Sequence, residues 1–262
     1  MLVLIGLTGA VGAARGQQPF PYHLKAVREG VLLATGAAAL GLSVDLNSRL
    51  EPLTEAEIAA LDPASINGFD RGATDNWSPS ASNLSDVTLV ATVGAALSTV
   101  AMARGESAPL TVGVMLGETL LVGNGISELV KTAVRRTRPY VYNDDPDITL
   151  EEKTTKTARQ SFPSGHTVNA FASAVFLSTV YGRLHPTSPA RAWIWGGSLA
   201  VAGTTSYLRF AAGKHFPTDI IAGAVLGGGL GWLIPHLHES DRVQAAVTPT
   251  ADGPVVGLSV RF

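Results

Sequence analysis

Six long apolar runs divide the chain, at roughly 30–44, 87–103, 107–127, 167–182, 192–208 and 220–235. Inside them the only charged residue is Glu118, in the third run. They are rich in Ala, Gly, Val and Leu and exceed ordinary strand length, which predicts helices. The expected fold class is therefore all-α: a helical bundle of about six core helices, with a small C-terminal β-hairpin. A membrane span takes about 17–25 apolar residues, and several runs sit at or just below that length, diluted by Ser and Thr. Transmembrane helices are the leading reading, and buried helices of a soluble all-α domain the alternative. Gly223, Gly227 and Gly231 recur every fourth residue of the sixth run, a small-residue stripe for close helix contact. Arg183 and Arg191 flank the short turn between runs four and five, where a cytoplasmic loop would carry positive charge.

The polar positions fall into separate blocks. Residues 45–86 contain Thr54 with Glu57 three positions later, a capping-box pattern that opens a short helix. Residues 140–161 contain Asp144, Asp145 and Asp147 beside Pro146, which reads as a solvated turn. In the tail, Val243–Val247 and Val255–Phe262 flank a turn-forming Thr250–Pro254 segment, hence the predicted hairpin. The first fourteen residues are apolar and end in small residues, like the core of a secretory signal without its basic start. The domain expectation is a signal-like segment at 1–16, a first helix and polar loop at 17–86, a helical core at 87–240, and a tail at 241–262.

Composition narrows the chemistry. Charged residues are 15% of the chain, hydrophobic ones 46%, and the net charge is -2. With no basic stripe, nucleic acid is not an expected partner. The chain has no cysteine, which excludes disulfides, thiolate catalysis and Cys-based zinc sites.

Against that charge-poor background, three groups of reactive residues stand at the ends of apolar runs. Lys131 and Arg138 are seven residues apart at the end of the third run; that is close to two helical turns, so both cations can face one side. Ser164-Gly165-His166 lies directly before the fourth run, where backbone amides at a helix N-terminus form an anion site. Arg209, His215 and Asp219 lie between runs five and six. His215 and Asp219, four apart, allow the carboxylate to accept a hydrogen bond from one ring nitrogen and leave the other as a nucleophile. Histidine suits that task because its reference pKa of about 6.5 keeps much of it neutral near pH 7. Three cations, two histidines and one carboxylate describe a phosphate pocket with an attacking group.

The segments KTAVRRTRP, FPSGHT and RFAAGKHFPTD resemble the three signature motifs of the type-2 phosphatidic acid phosphatase superfamily, which includes bacterial acid phosphatases, membrane lipid phosphatases and vanadium-dependent haloperoxidases. The resemblance covers roughly residues 87–235. One departure is visible: Leu208 stands where the third motif usually has Ser before its Arg. The resemblance implies that Lys131, Arg138 and Arg209 hold the phosphate oxygens, with Ser164 and the Gly165 amide completing the cradle. His215 would attack phosphorus to give a phosphohistidine, Asp219 would orient it, and His166 would protonate the leaving alcohol and then activate water. No metal and no other cofactor is expected.

The implied function is a phosphatase for phosphate monoesters or pyrophosphates of lipids, in a bacterial-type cell membrane with an extracytoplasmic active site. As in six-span members of the group, motifs one and two would lie between spans three and four, and motif three between spans five and six. The alternatives are a soluble, periplasmic acid phosphatase acting on a small phosphomonoester, and a vanadium-dependent haloperoxidase with His215 as the metal's ligand. A non-catalytic binder of phosphate headgroups is a fourth reading, disfavoured because binding alone needs only the cations.

Overall fold

The computed structural model describes residues 20–240, 243–250 and 253–260. Among the described residues six helices have twenty residues or more: α1 (Ala26–Ser48), α2 (Pro79–Met102), α3 (Ala108–Val134), α4 (Gly165–Leu184), α5 (Arg191–Ala211) and α6 (Pro217–Leu237). Each matches one of the apolar runs to within a residue or extends past it, and two of them start on a serine cap. Ser78, for instance, accepts the Ala81 amide at 3.2 Å on its Oγ, and Pro79 occupies the first helical position. The signal-like segment at 1–16 lies outside the described residues.

α4 is the central helix. It packs on α2, α3, α5 and α6, while α1 lies against α3. Most of α4 is buried, with Val168, Phe176, Leu177 and Val180 among the core residues, and Met115 and Leu116 of α3 and Ile234 of α6 facing it. The outer surface is also apolar: Val27, Val31, Leu42 and Val44 on α1, Val87 and Val90 on α2, and Ile221, Val225 and Trp232 on α6 are exposed. An apolar patch of that extent is the signature of a lipid or partner surface. Four helices, α1, α2, α6 and the one beginning at Ala108, are long and apolar enough to cross a membrane. α4 and α5 are not among the four. α4 is screened from the surroundings by its neighbours and carries Ser and Thr, and α5 begins on Arg191.

The glycine stripe on α6 faces α4. A Cβ on Gly227 would lie 2.1 Å from the Val168 carbonyl oxygen, and one on Gly231 would lie 2.4 Å from that of Ala172. Neither contact can be relieved by moving a flexible side chain. Gly227→Ala is therefore expected to lower stability by about 1–3 kcal/mol, the usual cost of overpacking, read as a lower melting temperature of the detergent-solubilised protein.

The long connections gather at one end of the bundle. In the 49–78 connection, Thr54 and Glu57 form the expected capping box, with Glu57 N–H to Thr54 Oγ1 at 3.2 Å and Thr54 N–H to Glu57 Oε2 at 2.8 Å, opening the short helix Glu55–Ala59. Asp145 accepts the Asp147 amide in a local turn, in keeping with a solvated loop. Residues 243–250 and 253–260 run antiparallel, Val243 opposite Val260 and Thr250 opposite Gly253. Two strands close no barrel, so the fold class rests on the helices.

Candidate active site

α3 delivers Lys131 in its last turn and ends at Val134. Arg135 then adopts a left-handed conformation, φ 55°, which turns the chain out of the helix. Arg138 is consequently not on the same helical face as Lys131, as the seven-residue spacing suggested. It reaches the site from the loop, held by donation from Nε to the Thr157 carbonyl at 2.8 Å and from NH1 to the Lys214 carbonyl at 3.2 Å.

Ser164 caps α4, with its backbone N–H donating to the Asp219 carbonyl at 3.1 Å. Its hydroxyl accepts from Thr167 Oγ1 at 3.0 Å and from the Thr167 amide at 3.4 Å, so the side chain shapes the helix start. Gly165 has Lys131 close above it: a Cβ there would stand 2.8 Å from Nζ. Lys131 is also paired with Glu128 at 2.5 Å. Because a flexible ammonium can retreat, Gly165→Ala is expected to keep the fold and displace the cation. A misplacement of that kind lowers kcat/KM by roughly tenfold or more, with the melting temperature nearly unchanged; the two together test the close approach.

Arg209 is buried at the end of α5. Its NH1 donates to Ser82 and Ser85 Oγ on α2 at 3.2 Å each, and its Nε is buried without a hydrogen-bond partner. An orphan guanidinium donor beside Lys131 and Arg138 suits an anion.

His215 is almost wholly buried. The predicted bond to Asp219 is not formed: Nδ1 lies 3.7 Å from Asp219 Oδ2 and 2.7 Å from the Ser161 carbonyl. A carbonyl only accepts, so Nδ1 carries the proton and Nε2 keeps its lone pair, 3.5 Å from Arg138 NH1. Burial, and the neighbouring Arg138, Arg209 and Lys131, hold the imidazole well below the usual histidine range. Asp219 acts one step further out. Its Oδ2 accepts from Ser161 Oγ at 2.5 Å and from the Phe216 amide at 2.9 Å, fixing the carbonyl that fixes the histidine.

Four residues that the motif reading did not single out complete the wiring. Arg136 bridges Asp219 Oδ1, at 2.5 Å, and Asp70 Oδ2, at 2.8 Å, and lies 4.0 Å over the Phe216 ring. Asp70, from the 49–78 connection, also accepts from the Thr218 amide at 3.0 Å at the start of α6. Ser161 holds both His215 and Asp219. Asp86, in α2, pairs with His166 Nε2 at 2.6 Å, leaving His166 partly exposed at the rim. Arg136 lies within the first motif and was in plain view; Asp70 and Asp86 carry no local signal.

All the predicted site residues thus meet at one end of the bundle. The family model of the PAP2 superfamily matches residues 112–242, half of the chain. The chain belongs to the PAP2 superfamily. Among PAP2-type relatives, an undecaprenyl-diphosphatase of Sulfolobus acidocaldarius is 33% identical over 51% of this chain and 58% of its own length. A lipid A 4'-phosphatase of Bacteroides thetaiotaomicron is 38% identical over 28% of each chain. A decaprenylphosphoryl-5-phosphoribose phosphatase of Mycobacterium tuberculosis is 27% identical over 45% of this chain and 56% of its own length. The chain spans less than two thirds of the length of these relatives. Among solved structures, it is similar to a transmembrane PAP2-type phosphatidylglycerolphosphate phosphatase of Bacillus subtilis, with TM-score 0.46 and 19% identity over 78% of this chain and 96% of that one.

Proposed function

We propose that this PAP2 protein is a membrane phosphatase that removes phosphate from phosphorylated or pyrophosphorylated lipids through a phosphohistidine. The observation that carries the reading is the unprotonated His215 Nε2 beside Arg138, in a cradle shared with Lys131 and Arg209. The three cations would hold the phosphoryl oxygens and stabilise the charge that builds on them in the transition state. Nε2 attacks phosphorus, the P–N bond forms as the bond to the leaving oxygen breaks, and His166 gives that oxygen a proton. His166 then takes a proton from water, and the resulting hydroxide cleaves the P–N bond and releases inorganic phosphate.

A lipid substrate is supported by the apolar outer face around the site and by the relatives, each named for a phosphorylated lipid.

The test is phosphate release from phosphatidic acid, an isoprenyl pyrophosphate and lipid A in mixed micelles without added magnesium, with a water-soluble phosphomonoester as comparison. Faster release from the lipids supports the proposal; release from the soluble ester alone would replace it with a soluble-substrate phosphatase. The free enzyme's nucleophile must be neutral, and its lowered pKa keeps it neutral in mild acid. The acid limb of kcat/KM attributable to His215 is therefore expected below pH 6.5, and a limb above that value would contradict the assignment.

A further inference from the structure

At the opposite end of the bundle, Glu29 near the start of α1, Glu118 within α3 and His238 just past α6 converge. His238 Nε2 lies 3.0 Å from Glu29 Oε1 and 3.2 Å from Glu118 Oε2, and the three ligand atoms all lie within 4.8 Å of one another. The side chains of Glu118 and His238 are both 0% exposed.

His238 Nδ1 is 2.8 Å from the Ile234 carbonyl and donates to it, so in the neutral ring Nε2 turns a lone pair toward two carboxylates. Glu29 has its own partners, the Lys25 amide at 2.8 Å and Arg28 at 2.6 Å. Glu118 has none: neither of its oxygens, nor His238 Nε2, makes a hydrogen bond. A buried carboxylate with no donor costs several kcal/mol in a protein interior, and more in a bilayer. Arg28 compensates Glu29, whereas Glu118 and His238 Nε2 face each other with no hydrogen-bond partner, a gap that a bound cation would fill.

The spacing indicates which kind. Ligands about 2.0–2.1 Å from a tetrahedral zinc-type ion stand about 3.3 Å apart, close to the two distances observed. Donation from the second ring nitrogen to a backbone carbonyl is the usual support for a metal-bound histidine. A mixed imidazole and carboxylate set suits a divalent transition metal better than magnesium or calcium, which take oxygen alone.

We propose that Glu29, Glu118 and His238 bind one divalent transition-metal cation of the zinc class, a structural clasp that ties α1 and the end of α6 to α3. α1 packs closely on α3 around Gly36 and Gly125, and the ion would add a polar anchor nearer its start, where Glu29 is buried. The neighbouring chain is already drawn together: the His23 amide donates to the His238 carbonyl at 3.0 Å and the Ser240 amide to that of Pro21 at 2.9 Å. The clasp is remote from the phosphate cradle and takes no part in the phosphoryl-transfer steps.

The experiment is a Co²⁺ titration of the full-length, metal-stripped protein in detergent, followed by visible absorption and by displacement with Zn²⁺. It is run on wild type, Glu118→Gln, His238→Gln and His215→Ala. Expected is one saturable site with the absorption of a tetrahedral ion, retained in His215→Ala and weakened more than tenfold in the other two, with Zn²⁺ raising the melting temperature of wild type. Failure of wild type to bind Co²⁺ saturably overturns the proposal without recourse to any variant. So does binding that disappears in His215→Ala and survives in Glu118→Gln, which would put the ion in the phosphate pocket. A Glu118→Gln protein more stable than wild type, with unchanged binding, would identify Glu118 as a protonated core residue.

Discussion

His215→Ala is expected to abolish phosphate release, by roughly 10⁴-fold or more given what removal of a nucleophile costs other covalent hydrolases, while the protein keeps its fold. The side chain is almost wholly buried, yet its one clear bond is to the Ser161 carbonyl, at 2.7 Å. Truncation leaves that carbonyl to be satisfied by water in a polar pocket, a modest loss. The surrounding scaffold is held by other bonds: the Arg136 bridge, the Asp219 contacts to Ser161 and Phe216, and the Arg138 anchors to Thr157 and Lys214. Phosphate binding should survive, because the three cations are untouched. The result that distinguishes a nucleophile from a positioning residue is covalent: brief exposure of wild type to labelled substrate should leave acid-labile label on the protein, and His215→Ala should leave none. Label that persists in the variant would move the nucleophile elsewhere and leave His215 as a hydrogen-bonding residue in the cradle.

Why the sequence revealed the site's members but not its wiring follows from where the bonds run. Lys131, Ser164, Gly165, His166, Arg209, His215 and Asp219 stand at the ends of apolar helices, and antiparallel helices in chain order carry those ends to one place. That much is periodicity and spacing. Arg138 was placed on a helix because seven residues make two turns; the left-handed Arg135 breaks the helix four residues after Lys131, a backbone event with no glycine to announce it. The direct bond from His215 to Asp219 was expected from their four-residue spacing. It fails because Ser161, from a segment more than fifty residues away, inserts its carbonyl against the ring and its hydroxyl against the carboxylate. Asp70, Asp86 and the cluster of Glu29, Glu118 and His238 depend on loop paths and helix packing over long separations, and no local pattern encodes them. The apolar runs were legible as helices. Which of them face lipid was not, because α4 is screened by its neighbours and tolerates polar residues that an outer span would expose.

Arg136→Met is the change expected to do most damage outside the reacting groups. Arg136 is the shared cation of two carboxylates, Asp219 with a side chain 0% exposed and Asp70 with one 1% exposed. Methionine preserves much of the volume and the contact with Phe216 while removing the charge, so the loss is electrostatic. Breaking a buried ion pair by deleting one partner costs about 3–5 kcal/mol, because the other is left uncompensated; here two are left, though solvent at the partly exposed guanidinium moderates the sum. Asp70 supplies a check on cause. Burial alone would raise its carboxyl, but bonds from Thr218, Arg136 and Asn67 outweigh it and hold the group below the usual aspartate range. A depressed carboxyl stabilises the fold above its unfolded pKa, about 3.9, and that stabilisation fades as pH falls through the lower folded value. The difference in melting temperature between wild type and variant should therefore be largest near neutral pH and shrink in strong acid. Turnover should fall as well, by about 10²-fold, since Asp219 loses the partner that holds it against Ser161 and, through it, His215. Arg136→Lys should recover little of either, because one ammonium cannot span both carboxylates as the planar guanidinium does. A variant with the melting temperature and rate of wild type would mean that the remaining contacts of the Asp70 loop hold it without Arg136, and that the orientation of His215 does not depend on this bridge.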